Sequence, residues 1–167
     1  MIAQYLAAGH PDVGERVALV ASGAEVTAWA KRVDGAMARS LARRDLAGAG
    51  LALAEYFLPG RRQAWLRRPV GLVAGRLMAP MFAAPAEDLL TELRAEETFD
   101  SRLVLPQIRV PVLLIGGDRD RCFSAEVVTE TAALIPHCTL VWYAGKGHSG
   151  TVASGRVARD VLAFATA

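Results

Sequence analysis

Ile108-Arg-Val-Pro-Val-Leu-Leu-Ile-Gly-Gly-Asp-Arg-Asp120 is the stretch on which the reading of this chain turns. Val110 to Ile115 is a short run rich in β-branched and apolar residues, with no polar residue to face water on either side. Such a run reads as a β-strand. It ends in Gly116 and Gly117 and passes at once into Asp118, Arg119 and Asp120, so charged groups gather where the strand's carboxyl end should be. Downstream the pattern repeats. Ala125 to Leu134 is helical, Thr139 to Tyr143 is β-rich, and Arg156 to Phe164 is helical again. Upstream, Ile2, Tyr5 and Leu6 share a helical face that stops at Gly9 and Pro11, and Val17 to Ala21 forms a continuous apolar run before Ser22 and Gly23, which suits a strand buried on both faces of a parallel sheet. Strands alternating with helices favour right-handed crossovers, so the expectation is an α/β fold with three parallel strands side by side and helices on the sheet faces.

Between these parts, residues 24–100 carry helical periodicity and no convincing strand. Helices are expected around Trp29 to Leu41, Leu46 to Leu58, Leu72 to Met81 and Glu87 to Phe99, with Pro59, Gly60, Pro69, Pro80 and Pro85 punctuating them. The domain reading is therefore residues 1–23 with 101–167 as one body, and 24–100 as a helical insertion.

Composition fits a globular protein: 167 residues, 53% apolar, 22% charged, with a formal net charge of +2. The most apolar region, Val70 to Ala86, is broken by Arg76, Pro80 and Pro85, so no membrane span is expected. Met1 to Ala8 lacks a basic flank and the layout of a secretory leader, and the chain reads as cytoplasmic. Residues 23–85 carry 10 Lys and Arg against 4 Asp and Glu, whereas residues 86–130 carry 5 against 10. Arg61, Arg62, Arg67 and Arg68 fall in a helical context with Trp65 and Leu66, which reads as a solvated face rather than a nucleic-acid surface. Cys122 and Cys138 show neither disulfide nor zinc spacing. Gly116-Gly117 lacks the spacing of a dinucleotide loop.

The charged ends of the last two strands are chemically complementary. One strand leads into Asp118 and Asp120, the other into Gly145, Lys146, Gly147 and His148. Ligands of open α/β sheets bind outside the strands' carboxyl ends, where an aspartate and a histidine on adjacent strands can converge. A carboxylate that accepts the Nδ1 proton of an imidazole fixes its tautomer and leaves Nε2 as a general base. His10 reads as a helix-end residue, His137 as an exposed turn residue, and Ser149 as a poor nucleophile because turn neighbours seldom point together. Cys122, two residues past Asp120, reads as packing, with a nucleophilic role as the minor alternative.

In these residues the chain resembles the α/β-hydrolase fold family, whose catalytic residues run nucleophile, acid, histidine along the sequence. The phrase from Ile108 to Asp120 is similar to the family's seventh strand and acid-bearing turn, with Gly117 three positions before Asp120. Gly147-His148-Ser149 is similar to the Gly-His pair after its eighth strand, and Ala158 to Phe164 to its closing helix. The opening, Met1 to Asp12, resembles the helix that follows the nucleophile elbow, and Val17 to Ala21 the sixth strand. The resemblance implies a partial α/β-hydrolase sheet of three parallel strands with residues 24–100 as a cap or lid. It makes Asp120 the triad acid and His148 the triad base, with Asp118 a turn former and a weak alternate acid.

The family's Gly-x-Ser-x-Gly elbow does not occur in the sequence. By the resemblance it would lie just before Met1, together with the oxyanion-hole amides and five further strands. The expectation is an esterase-like serine hydrolase lacking its nucleophile, inactive or nearly so by itself, as a truncated form. The alternative is a non-catalytic binding protein or pseudoenzyme. The implied partner is a small-molecule ester or acyl substrate if the site is completed upstream, with no nucleic acid and no membrane. Self-association through an uncovered sheet edge is a further expectation. No metal or organic cofactor is implied.

Overall fold

The computed structural model describes residues 2–58, 60–77, 79–80 and 86–167. The chain divides into two compact units, Met1–Thr27 with Phe99–Ala167, and Ala28–Thr98.

The first unit is built on three parallel strands, β1 (Val17–Val20), β2 (Val112–Gly117) and β3 (Cys138–Tyr143), in that spatial order. Val17 pairs with Val112 and Val112 with Cys138, so the three strands start level. Every residue of β2 is buried, as its unbroken apolar run demands of the middle strand. Alternate β2 side chains serve two helical layers. Leu113 and Ile115 join Tyr143 in one cluster, against which Val157, Val161 and Phe164 of the C-terminal helix pack. On the opposite side, a side chain at Gly116 would run into Val128 of the helix Ala125–Leu134. That helix starts at Ser124, whose hydroxyl accepts the Val127 amide as an N-cap. β1 stands at the edge of these three strands, so the burial expected on both faces is incomplete: Leu19 is buried, Val17 and Val20 are half-buried and Ala18 is exposed, and Ala21, with φ of 48°, ends the strand one residue short of the expected run.

The N-terminal helix α1 (Ile2–Gly9) buries Gln4, whose amide donates to Ser22 Oγ at 3.2 Å and to the Gly23 carbonyl at 3.1 Å. The segments around Ala24 and Ser101 are tied together. Glu25 and Asp100 form an antiparallel bridge, and Ser101 donates from both its amide and its hydroxyl to the Ala24 carbonyl. Arg102 then clamps three carboxylates at once, Glu25, Asp100 and Glu130, with contacts of 2.7 to 2.8 Å.

The second unit contains α2 (Ala28–Ala42), α3 (Leu46–Phe57), α4 (Ala64–Leu77) and α5 (Ala86–Thr98). Val33, Met37 and Leu41 of α2 meet Ala49 and Ala52 of α3 and Leu93 of α5 in its core. Asp45 caps α3 by accepting the Gly48 amide at 2.9 Å. The sequence expectation of a helix from Leu72 to Met81 with Pro69 as a break is corrected. α4 begins at Ala64 after a single 3₁₀ turn at Arg61–Gln63 and runs through Pro69, while Met81 lies outside the described residues. A proline costs one helical bond, but here tertiary packing outweighs that cost. Gly50, Gly71 and Gly75 bring α3 and α4 backbone to backbone, since a Cβ at Gly71 would lie 2.7 Å from Leu51 Cα.

Candidate functional site

Two turns at the carboxyl end of the sheet form the site. The turn after β2 carries Asp118, Arg119 and Asp120, and that after β3 carries Gly145, Lys146, Gly147 and His148. They are fastened to each other by hydrogen bonds: the Arg119 amide donates to the Lys146 carbonyl at 2.9 Å, and the Gly145 amide donates to Asp118 Oδ1 at 2.6 Å. Gly145 has φ of +71°, a conformation that favours glycine. Gly117 is needed for a different reason. A side chain there would collide with the Lys146 carbonyl and the Thr151 hydroxyl, so only glycine lets the two turns close up.

This clasp sets the relation of Asp120 to His148. His148 Nδ1 lies 3.0 Å from Asp120 Oδ2. The other carboxylate oxygen, Oδ1, accepts the backbone amides of Cys122 at 2.7 Å and Phe123 at 3.2 Å. Two amides therefore hold the carboxylate in place while its second oxygen faces the imidazole. Asp120 is buried, whereas the His148 side chain is 35% exposed, so the carboxylate is shielded and the ring has access to solvent. The Phe123 ring flanks the imidazole with centroids 5.8 Å apart. His148 also opens a short helix, His148–Val152, absent from the sequence reading. Thr151 binds the Gly147 carbonyl through both its amide and its hydroxyl.

The other candidates fall as follows. Asp118 is exposed and engaged with Gly145, apart from the imidazole. His10 and His137 are exposed, as is Ser149. Cys122 is buried, and its donor atom, one from Asp120 and one from His148 all lie within 4.8 Å of one another. A thiolate, an imidazole and a carboxylate are a donor set that a soft divalent cation such as zinc accepts. The sequence spacing of these three gave no sign of it, because His148 reaches the other two only through the pairing of β2 with β3. Phe123 beside the imidazole was likewise not evident from the sequence.

Solved structures with this architecture are numerous. An α/β hydrolase from a deep-sea metagenome library of the Medee basin matches with a TM-score of 0.73 at 18% identity, over 98% of this chain and 59% of its own length. A hydrolase from Pseudomonas aeruginosa PA01 matches with the same TM-score at 27% identity, over 98% and 60%. The chain has the α/β-hydrolase fold. No family model matches this α/β-hydrolase chain. Among curated proteins, the pimeloyl-[acyl-carrier protein] methyl ester esterase of Xanthomonas oryzae pv. oryzae is 41% identical over 66 residues, which is 39% of this chain and 26% of that protein. The α/β-hydrolase chain thus spans about three fifths of its structural neighbours and is matched over about a quarter of its curated relative.

Proposed function

We propose that this chain provides the acid and the base of an esterase-type hydrolase, Asp120 holding His148 in the tautomer that leaves Nε2 free to take a proton from a nucleophile. The observation that carries the reading is the Nδ1 to Oδ2 contact of 3.0 Å at the carboxyl ends of adjacent strands, with Oδ1 held by two amides. Residues 24–100 act in this reading as the cap of the acyl site. The substrate is a carboxylic ester, a choice supported by the methyl ester esterase relative. The nucleophile and the oxyanion hole come from residues outside these 167, since the chain holds no Gly-x-Ser-x-Gly.

The test is hydrolysis of an activated short-chain ester by the purified chain and by a form extended upstream to the next in-frame start, each beside its His148→Ala variant. Turnover in the extended form alone, lost with His148, is the expected result. His148-dependent turnover by the 167 residues alone would overturn the reading and place the nucleophile at Cys122 or Ser149.

A further inference from the structure

Residues 56–86 contain five arginines, Arg61, Arg62, Arg67, Arg68 and Arg76, and not one Asp or Glu. Arg67 turns inward, its Nε donating to the Leu58 carbonyl at 2.8 Å and its guanidinium 3.8 Å from Glu55. The other four are exposed, and among the described residues no carboxylate forms an ion pair with any of them. The same surface shows large apolar side chains to solvent. Trp65 is 74% exposed, Val73 57% and Leu77 76%. Leu72 is exposed too, and beside it lies a groove of about 650 Å³, lined by Leu46, Ala47, Leu72, Val73 and Arg76, floored at Gly75 where α4 closes on α3. An apolar trough with a guanidinium at its side has the chemistry of an acyl chain joined to an anionic head.

We propose that α4 and the 3₁₀ turn before it dock on an anionic lipid bilayer. Trp65, Val73 and Leu77 enter the acyl boundary, and Arg61, Arg62, Arg68 and Arg76 take lipid phosphates. Exposed tryptophan and leucine interleaved with arginine, with no acidic residue among them, is the make-up of a helix that lies in the interface. This mode needs no span-length helix, so the absence of one among the described residues does not bear on it. An acidic protein would also attract the arginines, and only one that carries an acyl chain would fill the groove as well. The inference does not depend on Asp120 or His148, and binding can be read with no ester turned over.

The test is co-sedimentation of the purified chain with vesicles of phosphatidylcholine alone and of phosphatidylcholine with phosphatidylglycerol, together with tryptophan emission. Binding only to the anionic vesicles is expected, with a blue shift that disappears in Trp65→Phe. Arg68→Gln with Arg76→Gln should weaken partitioning on the order of 20-fold. A control pair, Arg43→Gln with Arg109→Gln, should change it little, and circular dichroism verifies that each variant is folded. Equal weakening by the control pair, absence of binding by the folded chain, or binding without any Trp65 shift overturns the proposal. So does an acidic protein that binds this face while anionic vesicles do not.

Discussion

His148 Nδ1 and Asp120 Oδ2 are 3.0 Å apart although 28 residues separate them in the chain. Because Asp120 Oδ1 is already committed to the amides of Cys122 and Phe123, Oδ2 is the oxygen that faces the ring. The carboxylate can only accept, so a neutral His148 should carry its proton on Nδ1. In Asp120→Asn, the side-chain oxygen retains the two amides and the NH₂ group is presented to the ring, which should move the proton to Nε2. Nitrogen-15 chemical shifts of the imidazole distinguish the two tautomers. If the upstream-extended form hydrolyses esters, the same substitution should lower kcat by about three to four orders of magnitude. An unchanged tautomer would remove the basis for the role given to Asp120.

Gly117→Ala should be disruptive out of proportion to one methyl group. The added carbon collides with the Lys146 carbonyl and the Thr151 hydroxyl, and the first of these is backbone that cannot swing aside. Overpacking of this kind typically costs about 1–3 kcal/mol, visible as a lower denaturation midpoint. Thr151→Ala in the same molecule should relieve part of the loss but not all, because the carbonyl remains.

In the helical unit, Gly71→Ala should loosen α3 from α4. The gain in helix propensity, about 1 kcal/mol for alanine over glycine, is set against a Cβ placed 2.7 Å from Leu51 Cα and 2.9 Å from its nitrogen. Amide hydrogen exchange should quicken across residues 46–57 and 64–77 and stay slow in β2. Slower exchange in the two helices would show that propensity wins over contact.

Arg102 makes acid stability testable. Its hydrogen bond holds the Glu130 carboxyl below the usual carboxylate range, and Glu130 and its neighbouring carboxylates in turn push the guanidinium above its ordinary value. A carboxyl depressed in the folded state contributes stability in full above its unfolded value, about 4.3 for glutamate, and that contribution is lost as pH falls through the folded value. Arg102→Gln should therefore be less stable than the parent at neutral pH. The gap should narrow on acidification and in high salt, followed by denaturant titration at each condition. A gap independent of pH would mean that the arginine acts by packing alone.

The strands and most helices were legible because their cause is local. The apolar run ending at Ile115 and the helical periods over Trp29 to Leu41 and Leu46 to Leu58 are set by residues a few positions apart, and β2, α2 and α3 follow them. The start of α4 was not legible. Pro69 reads locally as a stop, and what carries the helix through it is the close approach of Gly71 and Gly75 to α3, a contact with residues about twenty to thirty positions away. The short helix at His148 was not legible for a different reason: no apolar period announces five residues.

By itself the sequence determined the α/β class, the three strands and the two polar turns that follow β2 and β3, because period, glycine placement and residue chemistry act within a few positions. It also named Asp120 and His148 as the residues able to work as a pair. Only the tertiary structure decided that they meet. That depends on the parallel register of β2 with β3, on Gly117 leaving room for Lys146 and Thr151, and on Asp118 clasping Gly145 rather than the imidazole. The same register brought Cys122 and Phe123 to the histidine, and no spacing along a chain can report a distance that is closed through a neighbouring strand.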